Sequence, residues 1–174
     1  MKSFSRSLPL FILLFFLPVS CGYHNPYVYT GPEISVYITT WKNKTNELRL
    51  DNQIYQSLVK WYQKTNHIKV KQGQEGADLI LAGEIVSIDI PSLSYGVNNI
   101  TREVKVRLRV RYILKNLKTG KVLVEVPGQD YSETYLVTSG NATTKDNESK
   151  ALEIIIDNLS EKIYLSTLNE LQHP

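Results

Sequence analysis

Apolar and basic residues alternate almost without a break from Val104 to Leu114 (VKVRLRVRYIL). A period of two places successive side chains on opposite faces of a β-strand. The pattern therefore predicts a long strand, interior to its sheet, with one buried and one exposed face. The buried row would be Val104, Val106, Leu108, Val110, Tyr112 and Leu114. The exposed row, called the basic row below, is Lys105, Arg107, Arg109 and Arg111.

Two other segments show the three- and four-residue spacing of apolar positions that is typical of an amphipathic helix. They run from Glu47 to about Lys64 and from Ser149 to Leu171. The polar segment between Thr138 and Asn147 is predicted to be a loop. Short β-branched or apolar runs predict the remaining strands, at residues 34–41, 67–70, 78–90, 122–126 and 131–137.

Glycine and proline divide these strands. Gly83 is a candidate β-bulge within residues 78–90, and Pro127-Gly128 is expected to break the strand that begins at Val122. Gly120 lies in the turn KTGK, where a positive φ is needed to close a hairpin. The turn predicts that the strand after it returns antiparallel to the basic strand.

The predicted order of elements is β-α-β-β-β-β-α, with one strand fewer if residues 67–70 do not pair. Each helix has a single apolar stripe, and laying both helices on one face of a sheet would bury both stripes. The predicted fold class is therefore α+β. It is a two-layer α/β sandwich, with two helices packed on one face of a mixed sheet of four to five strands. A single domain is expected over residues 34–172.

The first twenty residues have the pattern of a secretory signal peptide. Lys2 and Arg6 precede an apolar stretch from Leu8 to Val19, which is too short to span a bilayer comfortably. The chain's single cysteine, Cys21, follows at the expected cleavage point, as in bacterial lipoproteins, although Pro18 replaces the leucine usual in such signals. We predict a lipoprotein signal peptide at residues 1–20, and a lipidated Cys21 with its tether at residues 21–33.

The residues offer little for catalysis or nucleic-acid binding. The formal net charge of +3 falls to +1 without Lys2 and Arg6, which is far from the basic excess of a nucleic-acid binder. The three histidines have no partner at metal-ligand spacing, and no nucleophile elbow or phosphate-binding loop is found. Glu84 and Asp89 are five residues apart, so they are expected on opposite faces of their strand and unable to cooperate. We predict no enzyme activity, no cofactor and no nucleic-acid partner.

The basic row allows two interpretations. As solvated charges, its members would only protect the sheet against aggregation. As a binding surface, they would offer charge-assisted hydrogen bonds to phosphate or carboxylate groups. The second interpretation makes all four residues candidates for contact with an anionic glycolipid or with an acidic wall of a partner protein.

Taken in order, these features resemble the LptE family of lipopolysaccharide-assembly lipoproteins of the Gram-negative outer membrane. The likeness begins at Cys21-Gly22-Tyr23-His24 and continues through the strand, polar turn and helix of residues 34–58. It includes ADLILAGEI at residues 77–85, and it ends with the alternating strand, the Thr119-Gly120 hairpin and the C-terminal helix.

The resemblance implies a non-catalytic subunit that forms a plug inside the large β-barrel LptD, assists the assembly of that barrel, and helps to deliver lipopolysaccharide to the outer leaflet. It also implies a lipid anchor at Cys21 in the outer membrane, with the domain on the periplasmic side. Gly22, rather than Asp, fits sorting to that membrane. The alternative is a lipid-anchored periplasmic module that serves another envelope transporter or secretion channel.

Overall fold

The computed structural model describes residues 28–90, 102–138 and 140–173, with Arg102 and Asn141 described by their backbone only. The predicted signal peptide and Cys21 lie outside these residues. The described residues form these elements, in chain order: β1 (Ile34–Ile38), β2 (Lys42–Asn43), α1 (Leu50–Tyr62), β3 (Ile68–Lys71), β4 (Leu79–Asp89), β5 (Arg102–Asn116), β6 (Val122–Val137) and α2 (Asn141–Gln172).

All the strands belong to one mixed sheet with the order β3-β1-β4-β5-β6. β1 is parallel to both β3 and β4, and β5 is antiparallel to both of its neighbours. The two-residue strand β2 joins the same edge of β4 as β1, with Lys42 opposite Glu84. The predicted two-layer α+β fold is confirmed. The sheet has six strands where four to five were predicted, because β2 is too short to give a sequence pattern.

The apolar row of β5 faces the helices. Val106, Leu108 and Val110 are completely buried, and Tyr112 and Leu114 nearly so. At about 1.5 Å per residue, the 32 residues of α2 extend about 48 Å. The 16 residues of β6 cover about 53 Å at about 3.3 Å each, so the helix can follow the whole strand. The helix α1 packs on α2, where the Tyr62 hydroxyl lies 2.6 Å from Thr167 Oγ1.

The strands beside β5 carry all the irregularities of this part of the sheet. Val86 is an extra residue in β4, and β6 has extra residues near Pro127-Gly128 and at Leu123. The prediction of a bulge at Gly83 was therefore wrong, and Pro127-Gly128 bends β6 without ending it. Bulges increase the local twist of the strand that contains them. Because the extra residues lie in β4 and β6, the alternation of buried and exposed residues along β5 is uninterrupted.

Gly83 is needed for a different reason. The indole of Trp41 lies directly on its backbone, in the space that a Cβ would occupy. The same indole stacks on Tyr112, with ring centroids 6.2 Å apart. Because Tyr112 is the partner of Gly83 across the sheet, the glycine makes room for one buried aromatic pair.

Both helices begin at residues that periodicity did not predict. α1 begins at Leu50 because Asn43 holds the preceding residues in a turn, accepting from Thr45 N at 2.9 Å and donating to the Glu47 carbonyl at 2.8 Å. α2 begins at Asn141, eight residues before the predicted start. Its first turns are fixed by Thr144, whose buried hydroxyl accepts from Thr138 N at 3.1 Å and donates to Thr138 O at 3.2 Å. Because hydrogen bonds of a threonine fix these turns, they contain no apolar stripe, and the sequence pattern could not predict them.

Asp78 joins three parts of the fold at the start of β4. Its Oδ2 accepts hydrogen bonds from the Ser35 backbone N at 2.7 Å and from the Ser35 hydroxyl at 2.6 Å. Its Oδ1 lies 2.5 Å from Lys118 Nζ in the β5–β6 hairpin. The Lys118 ammonium, followed by the two Ser35 donors, lowers the pKa of Asp78 from 3.8 to about 2. The carboxylate therefore belongs to the framework of the sheet.

Candidate functional site on the outer face of the sheet

The face of the sheet that lies away from the helices, called the outer face below, carries the basic row. Lys105, Arg107, Arg109 and Arg111 are all exposed there, as the alternation predicts. With about 3.3 Å per strand residue, the row from Lys105 to Arg111 extends about 20 Å. Because β5 has no bulge of its own, all four cations lie on this one face of the sheet.

Carboxylates from the neighbouring strands pair with one end of the row. Glu84 Oε2 lies 3.0 Å from Arg111 Nη2, and Glu84 Oε1 lies 2.6 Å from Lys44 Nζ. The ammonium of Lys44, followed by the guanidinium of Arg111, lowers the pKa of Glu84. Arg109 Nη1 lies 3.3 Å from Asp130 Oδ1, in a pair whose side chains are both about half exposed. We call Arg109 and Arg111 the paired half of the row.

At the other end of the row, the described residues form no such ion pairs. On β6, Thr134 lies opposite Lys105 and Ser132 lies opposite Arg107, and neither hydroxyl carries a charge. Asp89 is in register with Arg107 on β4, but no ion pair forms between them. Among the described residues, no salt bridge involves Lys105 or Arg107. We call these two residues the unpaired half of the row.

The two carboxylates of β4 lie on the same face, contrary to the sequence prediction. The extra residue Val86 reverses the alternation between Glu84 and Asp89, so that they align with Arg111 and Arg107. Since those partners are four residues apart on β5, the carboxylates are separated by about 13 Å. Paired carboxylates of glycoside hydrolases are closer, at roughly 5–9.5 Å. The prediction about their faces was wrong, but they are still not placed for joint acid–base catalysis.

Sequence reasoning missed two lysines at this site. It treated Lys42 and Lys44 as residues of a polar turn, whereas β2 brings this segment against β4. Lys42 lies opposite Glu84, and Lys44 forms the ion pair with it. The alternation of Lys42, Asn43 and Lys44 was the available signal, but three residues are too few to distinguish a strand from a turn.

Three features of the rest of the described structure bear on its function. The described residues contain no group of three or more His, Cys, Asp or Glu side chains placed to hold a metal ion. Neither α1 nor α2 is both long and apolar enough to cross a membrane. A groove of about 780 Å³ between the two helices is open to solvent and lined mainly by polar side chains, including Gln53, Gln56, Lys60 and Asp157.

Comparison with known proteins supports the same architecture. The family model for lipopolysaccharide assembly, LptE, matches residues 35–167. A candidate lipoprotein of Caulobacter crescentus CB15 superimposes with a TM-score of 0.53 at 17% identity, over 80% of this chain and 92% of that one. A Xanthomonas campestris protein of the DUF330 family gives 0.53 at 10% identity, over 83% and 99% of the two chains.

A third structure, lipoprotein B of Nitrosomonas europaea, gives a TM-score of 0.50 at 19% identity, over 86% of this chain and 92% of that one. At such identities these structures show a shared fold. No curated protein matches the chain significantly.

Proposed function

Because the chain belongs to the LptE family of lipopolysaccharide-assembly proteins, we propose that it is an outer-membrane lipoprotein that assembles with the β-barrel LptD. In this role it would assist the assembly of the barrel and the delivery of lipopolysaccharide to the outer leaflet. The observation that carries the proposal is the family match, which covers nearly the whole described domain. The family consists of non-enzymatic accessory lipoproteins, so no catalytic step is assigned to this chain.

The anchor in this proposal is Cys21. Cleavage of the signal peptide before Cys21 would make it the first residue, and acyl chains attached there would hold the domain at the periplasmic side of the outer membrane. Each buried methylene of an acyl chain adds about 0.8 kcal/mol of membrane affinity, so two or three chains are sufficient for stable attachment. Gly22, in place of Asp, supports retention in the outer membrane.

The basic row supplies the proposed contact with lipopolysaccharide. Phosphate groups on an anionic glycolipid accept charge-assisted hydrogen bonds from arginine and lysine. We assign the principal contacts to Lys105 and Arg107, because no carboxylate of the described residues forms a salt bridge with either of them, although Asp89 is in register with Arg107. Arg109 and Arg111 would contribute less, since each already has a carboxylate within 3.3 Å.

The test is co-purification of the full-length lipoprotein from its native outer membrane in mild detergent, followed by mass spectrometry. We expect a large β-barrel in near-equimolar amount. An unrelated outer-membrane lipoprotein with the same tag provides the matched control, because it reports the barrels that any lipoprotein retains.

Two results would contradict the proposal. Recovery of an inner-membrane transporter or a secretion ring in place of a barrel would support the alternative, an accessory module of another envelope system. A barrel recovered equally with the control lipoprotein would show that its retention is not specific. The N-terminal peptide of the purified protein tests the anchor separately, since lipidation adds the mass of the acyl chains to Cys21.

A further inference from the structure

The strand β6 forms one edge of the sheet, and in its second half every other residue points its backbone N–H and C=O groups away from β5. The side-chain Nδ2 of Asn147 donates to the Leu136 carbonyl at 2.8 Å, so the backbone of Leu136 points away from β5. Both backbone groups of a residue in an antiparallel strand point to the same side, and the side alternates along the strand. Asp130, Ser132 and Thr134 therefore direct their N–H and C=O groups outward, where no described strand lies.

This part of the edge lacks the lysine, the proline and the bulges that commonly protect an edge strand against strand addition. Edge strands are commonly protected by shortness, lysine, proline or bulges. The opposite edge, β3, has only four residues and carries Lys69 and Lys71. The first half of β6 contains Pro127 and the bulges. From Gln129 to Val137, in contrast, there is no lysine and no proline, and the register with β5 is unbroken.

An apolar groove runs beside the unprotected edge. It has a volume of about 220 Å³ and lies between β6 and α2, with Ala151 and Thr134 among its lining residues. Leu136 and Ile154 flank it and are 48% and 46% exposed, which is unusual for large apolar side chains in this domain. The groove has room for one apolar side chain of a segment that lies along the edge.

The charges around the groove indicate which kind of partner fits. Glu133 and Lys150 line it with opposite signs, and Asp130 is already paired with Arg109. The edge therefore has no cluster of cations with which to attract a phosphate. Free backbone donors and acceptors beside an apolar groove instead match an extended polypeptide, as in β-augmentation.

We propose that the edge from Asp130 to Thr134 receives an extended, largely uncharged segment of a partner protein, which adds a strand to the sheet and places an apolar side chain between Leu136 and Ile154. This contact uses the backbone groups of β6 and the apolar groove, whereas the contact proposed for the basic row uses the side chains of β5, which lie beside Ser132 and Thr134. The proposal does not require the partner to be LptD.

The experiment compares two substitutions at one residue in the full-length lipoprotein, purified from its native membrane. Ser132→Pro removes a single outward N–H, and proline is tolerated in edge strands where the N–H faces solvent. Ser132→Ala removes the hydroxyl but keeps the N–H. We expect Ser132→Ala to retain its partner like wild type, and Ser132→Pro to retain on the order of tenfold less, because a main-chain hydrogen bond is lost and the ring obstructs pairing.

Equal retention by Ser132→Pro and wild type would overturn the proposal, as would the absence of any partner in the wild-type preparation. A wild-type partner that is not a barrel, and that Ser132→Pro loses, would support strand addition while contradicting the proposed function. A barrel retained by both variants would support the proposed function and contradict strand addition.

If circular dichroism shows that Ser132→Pro is unfolded, a second measurement decides. A photo-crosslinking amino acid replaces Thr134, and the same replacement at Leu48, which is 82% exposed in a distant loop, is the control. Adducts from position 134 alone that map to an extended segment of one partner support the proposal. Adducts to β6 of a second copy, or equal adducts from both positions, contradict it.

Discussion

On the helix-side face of β5, Val106, Leu108 and Val110 are completely buried, whereas every member of the basic row on the other face is exposed. The sequence of β5 alone determines which side chains are buried, because an apolar side chain needs only to be removed from water. It does not determine which cations form ion pairs, because those pairs depend on the side chains that the neighbouring strands place beside them. One alternating pattern thus predicts burial on one face and leaves electrostatic roles undetermined on the other.

The two faces also differ in energy. Burying a side chain such as Leu or Val contributes about 1.5–3 kcal/mol to folding. An exposed ion pair contributes about 0–1 kcal/mol, and salt screens it further. The helix-side face should therefore control the stability of the domain, while the outer face can change its charges at little cost and is free to serve binding.

Leu108→Ala gives the strongest test of this comparison. Leu108 is 0% exposed at the centre of β5, so its truncation removes buried apolar surface and leaves a cavity. We expect the free energy of unfolding to fall by about 2–5 kcal/mol, measured by urea denaturation. Arg107→Ala, the adjacent residue on the outer face, is the matched control and should change it by less than about 0.5 kcal/mol. Similar losses for the two variants would contradict the division between faces.

Asp78→Asn sharpens the comparison, because Asp78 is a charged residue that we assign to the framework. Its folded pKa of about 2 lies below its usual 3.8, so the carboxylate stabilises the fold above about pH 4. That contribution is lost as the pH falls from about 4 towards 2. We expect the variant to be less stable by about 1–2 kcal/mol at pH 7, allowing for partial exposure, and the difference to shrink in acid.

The control for this prediction is Asp130→Asn, which removes a carboxylate from the half-exposed pair with Arg109. Its unfolding free energy should change by less than about 1 kcal/mol. If the difference between Asp78→Asn and wild type stays constant from pH 7 to pH 2, the carboxylate charge is not what stabilises this end of the sheet.

Sequence periodicity predicted the parts of this fold that depend on burial. It gave both helices, the two-layer architecture and the uninterrupted alternation of β5, because each of these follows from repeated apolar positions. It failed where one residue alters the geometry. Val86 adds a residue to β4 and moves Asp89 to the face of Glu84, and Thr144 starts α2 by hydrogen bonds without any apolar repeat.

The candidate site was predictable in position but not in detail. Alternation placed the basic row on the exposed face, which the structure bears out. The division into a paired and an unpaired half required knowing that Glu84 and Asp130 lie beside Arg111 and Arg109. Those contacts join residues more than twenty positions apart, and they depend on a register that bulges shift. No local pattern contains this information.

The smallest expected effect concerns that division, and it compares two double variants. Lys105→Ala with Arg107→Ala removes the unpaired half, and Arg109→Ala with Arg111→Ala removes the paired half. In a titration of the purified protein with lipopolysaccharide, the first should weaken binding on the order of tenfold, because donors that no described carboxylate holds in a salt bridge are lost. The second should weaken it less, because Glu84 and Asp130 already compensate those charges.

Equal losses would mean that the carboxylates do not influence the row, and unchanged affinity in both variants would remove the row from the lipid-binding proposal. The variant Glu84→Gln then tests whether the ion pair with Glu84 limits the contribution of Arg111 to binding. It releases Lys44 and Arg111 from their shared carboxylate while leaving the row intact. If pairing limits the contribution of Arg111, this variant should bind lipopolysaccharide more tightly than wild type, and the gain should narrow as added salt screens the exposed charges.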